Sequence, residues 1–246
     1  MFRTSNPALK DDAFRSLPRE LGAEAMTLQG TVNKTGFSLL ILIAAAAFTW
    51  SRALAGEPVG LYALGGAIGG FVVALATIFK PVWAPVTTPL YAALEGLLLG
   101  AISAMYESRY PGLPMNAVAL TFGTLAALLA AYSSGLIRPS ENFKLGVVAA
   151  TGAVALVYLA SMVLGFFHVA IPGIFGSGPI GIAFSFFVVG LAAVNLVLDF
   201  DFVESGVRAQ APKYMEWYGA FGLLVTLVWL YLELLRLLAK LQDRRR

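Results

Sequence analysis

With 246 residues, 59% hydrophobic and only 13% charged, and a mean hydropathy of +0.78, the chain has too few polar side chains to cover a soluble globule of its size. It contains no cysteine, which excludes disulfides, thiolate metal sites and thiol catalysis, and its single histidine, His168, excludes a histidine-built metal cluster. The formal charge of +3 fits basic residues flanking membrane spans, which set topology and touch anionic headgroups, so no nucleic-acid binding is read from it.

The N-terminal tail, residues 1–35, is polar, with five basic residues, four acidic residues and two prolines. No apolar core lies close to Met1, so no cleavable signal is expected. The tail is expected to stay disordered or to lie on the membrane surface as a short amphipathic segment. Residues 36–241 form the membrane domain, and residues 242–246 a basic C-terminal tail.

A bilayer core of about 30 Å takes roughly 20 helical residues. Seven runs of about that length occur: Gly36–Arg52, Val59–Phe79, Val86–Met105, Asn116–Ile137, Leu145–Phe167, Pro179–Phe202 and Trp217–Leu238. The twelve prolines fall in the tail, in connections or in first helical turns, where a missing N–H does little harm. Short connections leave no room for a soluble domain between spans. The predicted fold is therefore all-α, a polytopic seven-transmembrane helix bundle, since helices or closed barrels alone satisfy the backbone in lipid and these runs are too long for barrel strands.

Small residues recur at helical spacing, as Gly65, Gly66, Gly69 and Gly70 in LGGAIGGF and as Gly96 and Gly100 in EGLLLG. They predict close backbone approach between helices. A dinucleotide loop is excluded for GGAIGG, which follows no strand and has no polar cradle. Counting Lys and Arg on alternate sides, with the N-terminus in the cytoplasm, gives ten inside against six outside. That favours an inside N-terminus and an outside C-terminus; the terminal Arg244, Arg245 and Arg246 pull the other way, toward an even number of crossings with the last segment re-entrant.

Ionisable groups at membrane depth are the candidates for chemistry, because each costs roughly 2.5–3.5 kcal/mol to insert. The stretch AAVNLVLDFDFVESG passes without a break from apolar residues to Asp199, Asp201 and Glu204. Asp199 and Asp201 stand about 200° apart around a helix, so one of them can face an interior path. Asp199 shares its face with Asn195, Phe202 and Val203, lies deeper, and is expected to be the principal titrating group and pH sensor; Asp201 and Glu204 are secondary. The alternative is that all three acids end the helix at the headgroups. Glu95, early in the third span, either hydrogen-bonds to a neighbouring helix or lines an ion path, and is the expected interior partner of Asp199. Glu233, with Arg236 three residues on, suits an interfacial ion pair. Any cation held at Asp199 is Ca²⁺-like or a proton, since the ligands on offer are hard oxygens. No nucleophile–base pair, phosphate loop or metal cluster can be assembled, so neither an enzyme nor a bound cofactor is expected.

The order NKTG, IFKPVWAPVTTPLYAALEGLLLGAISAMYESRYPG, SGLIRPSENFKLGVVAATG, NLVLDFDFVESG and APKYMEWYGAFGLLVTLVWLYLELLRLL resembles the Bax inhibitor-1/YccA family, in its bacterial YccA-like branch, from about Thr27 to Leu241. The resemblance implies seven helices with the last one central, a multi-pass protein of the bacterial inner membrane, and, for some members, a pH-sensitive calcium leak governed by paired acids on the sixth and seventh helices. Asp199 matches the sixth-helix acid. On the seventh helix the pattern departs, with Thr226 or an apolar neighbour in the acid's place, and Glu95, Glu216 and Glu233 are the candidate substitutes. Other members regulate a membrane-bound AAA protease or suppress cell death, so the implied partners are the lipid bilayer and a membrane protease or other membrane protein. Oligomeric state is not legible.

Overall fold

Among the described residues of the computed structural model, seven helices are long and apolar enough to cross a membrane, and the chain is a multi-pass membrane protein. The structure describes residues 25–167 and 173–244. The tail to residue 24, His168, Pro172 and the last two arginines lie outside the described residues. The helices are α1 (Leu28–Leu54), α2 (Gly60–Phe79), α3 (Ala84–Arg109), α4 (Leu113–Ser133), α5 (Glu141–Phe166), α6 (Pro179–Arg208) and α7 (Met215–Asp243), with a 3₁₀ turn at Pro81–Trp83 ahead of α3.

All seven expected spans are present, and most run longer than their apolar cores. The largest change is in α1, which starts at Leu28 rather than Gly36 because Thr27 caps it: its side-chain oxygen accepts from the Gly30 N–H at 2.9 Å. The first two turns carry Gln29, Thr31, Asn33, Lys34 and Thr35, so hydropathy alone assigns them to the tail. At the other end α7 continues to Asp243, past the expected boundary at residue 241. Pro89 departs from the expected pattern. Because α3 starts at Ala84, Pro89 lies beyond the first turn, inside the helix, and the bond from residue 89 back to the Pro85 carbonyl is given up.

The chain divides into two compact units. One contains residues 25–111 together with Asp201–Val225; the other contains Gly112–Phe200 and Thr226–Arg246. The long helices α6 and α7 are each divided between them.

In the first of these units α3 packs against both α1 and α2. Glycines make this possible. A Cβ at Gly96 would overlap the Leu42 carbonyl of α1, and one at Gly100 the Ala46 carbonyl a turn later. Gly66 stands 2.9 Å, measured from an added Cβ, from the Leu98 nitrogen of α3, while Gly69 and Gly70 meet Leu94 and Glu95. Gly65 is the exception among the six expected contact glycines, with open space around it, since the turn of the helix points it away from α3.

In the other unit, Val147 and Val154 of α5 form a core with Val188, Leu191 and Leu198 of α6, with Tyr158, Phe184 and Trp229 packed against it. The most apolar stretch of α7 is 72% buried, against 11% for that of α1.

Candidate functional site

The acid-bearing stretch lies near the C-terminal end of α6. Asp199 is fully buried, at 0% exposure, and so are its face-sharing neighbours Asn195, Phe202 and Val203, each at 2–3%. Asn195 is fixed by two bonds from its amide nitrogen, to the Thr151 hydroxyl of α5 at 3.0 Å and to the Leu191 carbonyl at 2.8 Å. Asp201 and Glu204 are half-buried, and Glu204 pairs at 3.6 Å with Arg208 one turn on. The 200° rotation between the two aspartates therefore appears as a difference in burial.

Glu95 lies mid-helix in α3 and is half-buried; its carboxyl faces Gly70 of α2, whose missing side chain leaves it room. Among the described residues no three His, Cys, Asp or Glu side chains converge as a metal site.

Glu216 and Glu233, the two candidate substitutes on the seventh helix, have firm engagements of their own. Glu216 is fully buried in the first turn of α7. Its Oε1 accepts from the Thr27 N–H at 2.9 Å and from the Thr27 hydroxyl at 2.8 Å, its Oε2 takes the ammonium of Lys34, and Lys213 lies 3.6 Å from Oε1. The carboxylate thus sits at the N-terminal ends of two helices, α1 and α7, where backbone N–H groups favour negative charge, and two lysines complete its neutralisation. The same corner is closed by the Met26 N–H on the Ala211 carbonyl at 2.7 Å and by Lys34 over the Trp217 ring at 5.6 Å.

Glu233 is 2% exposed and faces α5. Its Oε1 accepts from Arg236 at 2.6 Å and from the Tyr158 hydroxyl at 2.9 Å, and that hydroxyl accepts from the same Arg236 nitrogen at 2.7 Å. The expected i,i+3 pair is present, with Tyr158 as a third member. Tyr158 also stacks with Phe184 at the start of α6, whereas Asp199 lies near the far end of that helix. At 1.5 Å per residue the stretch of α6 from Phe184 to Asp199 is about 22 Å long, so Glu233 and Asp199 do not form an acid pair here. Tyr158→Phe removes one of the two bonds on the buried carboxylate and is expected to lower stability by about 1–2 kcal/mol, read as the unfolding midpoint of the purified protein in detergent.

Several polar anchors were not foreseen from the sequence. Lys240 is 5% exposed, and its ammonium donates to the Ile174 carbonyl at 3.1 Å, the Gly181 carbonyl at 3.0 Å and the Ser185 hydroxyl at 2.9 Å. It ties the segment before α6 to the end of α7. Lys144 stands in the first turn of α5 and is 4% exposed. The Thr27 cap was the one anchor with a local signal, a threonine just ahead of a long helical run.

The sequence model of a family described as Bax inhibitor 1 like matches residues 6–243. No curated protein and no solved structure matches the chain.

Proposed function

The chain belongs to the Bax inhibitor 1 like family, and from that membership we propose that it is a passive, pH-modulated cation leak, with Ca²⁺ as the permeant ion. The observation that carries the reading is Asp199, a carboxyl at 0% exposure on an apolar transmembrane helix, where a charge persists only against a partner, an ion or a proton. Protonation of that group changes the charge of the interior at one atom pair, which is the simplest way for pH to act on an ion path. Asp201 and Glu204 follow it toward the helix end and supply further hard oxygens of the kind Ca²⁺ takes. Glu95 is a second ionisable group at membrane depth, on α3. No catalytic step and no bound cofactor enter this reading, and Ca²⁺ is cargo rather than a resident ion. The bacterial inner membrane, with the N-terminus in the cytoplasm, is the location proposed from the resemblance to the YccA-like branch and from the distribution of basic residues.

Purified protein reconstituted into liposomes loaded with a calcium dye tests the proposal. The expected result is Ca²⁺ entry whose rate varies with pH. No entry at any pH, with the protein shown to be folded, overturns it in favour of a non-conducting regulator that binds a membrane-bound protease or another membrane protein through its helices.

A further inference from the structure

The unit built from Gly112–Phe200 and Thr226–Arg246 buries two opposite charges on adjacent helices, Lys144 at 4% exposure on α5 and Asp199 at 0% on α6. The relative register of the two helices follows from contacts at two levels. Asn195 is bonded to Thr151, and the Phe184 ring meets the Tyr158 ring edge-on at 6.3 Å, so residue numbers rise on one helix as they fall on the other. Four residues beyond Asn195 is Asp199; four residues before Thr151 is Val147, and three more reach Lys144, on the same face of α5 by helical spacing. The remaining offset is about 4.5 Å along the axis, within the span of a flexible four-carbon lysine stem.

From this register we infer that the ammonium of Lys144 is the counter-charge that holds Asp199 in the interior. One pairing of Lys144, with Glu141 at 3.1 Å, joins it to a side chain that is 60% exposed, and that pairing does not by itself explain why the ammonium is buried. A buried carboxylate and a buried ammonium at matching height account for each other, since either alone carries the full desolvation penalty. In this chain the sixth-helix acid is then balanced by a base on the fifth helix, not by a second acid on the seventh. Lys144 is a positioning residue: it acts through Asp199. The inference adds to the proposed leak by naming what holds its controlling carboxyl, but it stands or falls on stability, with or without flux.

The test is a double-mutant cycle on the purified full chain in detergent. Lys144→Met and Asp199→Asn each leave one buried charge without its counterpart and are expected to melt about 10 °C below the unmodified protein. The double variant Lys144→Met/Asp199→Asn is expected to recover most of that loss, and Lys144→Arg to lose little. The rescue is specific: Glu141→Gln or Asp201→Asn in place of Asp199→Asn does not restore Lys144→Met. If a single variant fails to fold, recovery of folded protein in the double variant reads the same coupling. A double variant no more stable than the weaker single, or a rescue by Glu141→Gln, overturns the inference. If the pair is confirmed while liposomes show no Ca²⁺ entry, the leak fails and the pair stands.

Discussion

Glu216→Ala is expected to lower the stability of the purified protein by about 3–5 kcal/mol, the range seen when one partner of a buried ion pair is removed. Three donors lose this acceptor at once, the Thr27 N–H, the Thr27 hydroxyl and the Lys34 ammonium, and the Lys213 ammonium loses an opposite charge 3.6 Å away. Lys34 is only 18% exposed at its side chain, so water replaces the lost carboxylate incompletely. The cap of α1 is affected directly, because the hydroxyl that donates to Glu216 is the one that accepts from Gly30. Glu216→Gln keeps an acceptor oxygen but loses the charge and is expected to fall between the two. Gly30→Ala reaches the same corner from the other side, since its added Cβ would overlap the Glu216 carboxylate. Unfolding midpoints in detergent rank the set; a Glu216→Ala protein as stable as its parent contradicts this assignment.

Gly100→Leu is expected to cost about 3 kcal/mol or more and to reduce the yield of folded protein. Its first side-chain carbon would overlap the Ala46 carbonyl and stand 2.9 Å from the Thr49 Cβ, and neither backbone nor a β-branched carbon can swing aside. α1 and α3 would have to separate along the line where Gly96 also sits. Gly65→Leu is the matched control: it adds the same bulk in the small-residue stretch of α2 at a position with nothing within 4 Å and is expected to change stability little. Equal losses in both variants would contradict close approach at Gly100 as the source of the cost, since helix propensity favours leucine over glycine at either position.

The two variants also mark where the sequence was and was not legible. Run length found every span because lipid imposes one length on all of them. It missed the start of α1, where Thr31, Asn33, Lys34 and Thr35 are helical through a cap and a distant carboxylate rather than through hydropathy. The 100° rotation per residue by itself separates Asp199 from Asp201. Lys34, Lys144 and Lys240 were counted as topology charges, yet two of them are nearly buried and the third closes on Glu216. A basic residue near a span end reads the same whether it faces headgroups or an acid from another helix, and that difference exists only once the helices are packed. Glu216 and Glu233 read alike as acids at the two ends of the seventh helix, but one fastens α1 and the other is held by Tyr158 and Arg236.

The central claim, that the Asp199 carboxyl controls a cation path, is tested most directly by measuring Ca²⁺ entry into liposomes across a pH series for three proteins side by side. The unmodified chain is expected to show pH-dependent entry, Asp199→Asn to show entry that no longer varies with pH, and Glu233→Gln to keep the pH profile while melting earlier. An Asp199→Asn protein with the parent's rates and pH profile would contradict the claim and leave Asp199 a buried structural carboxyl of α6.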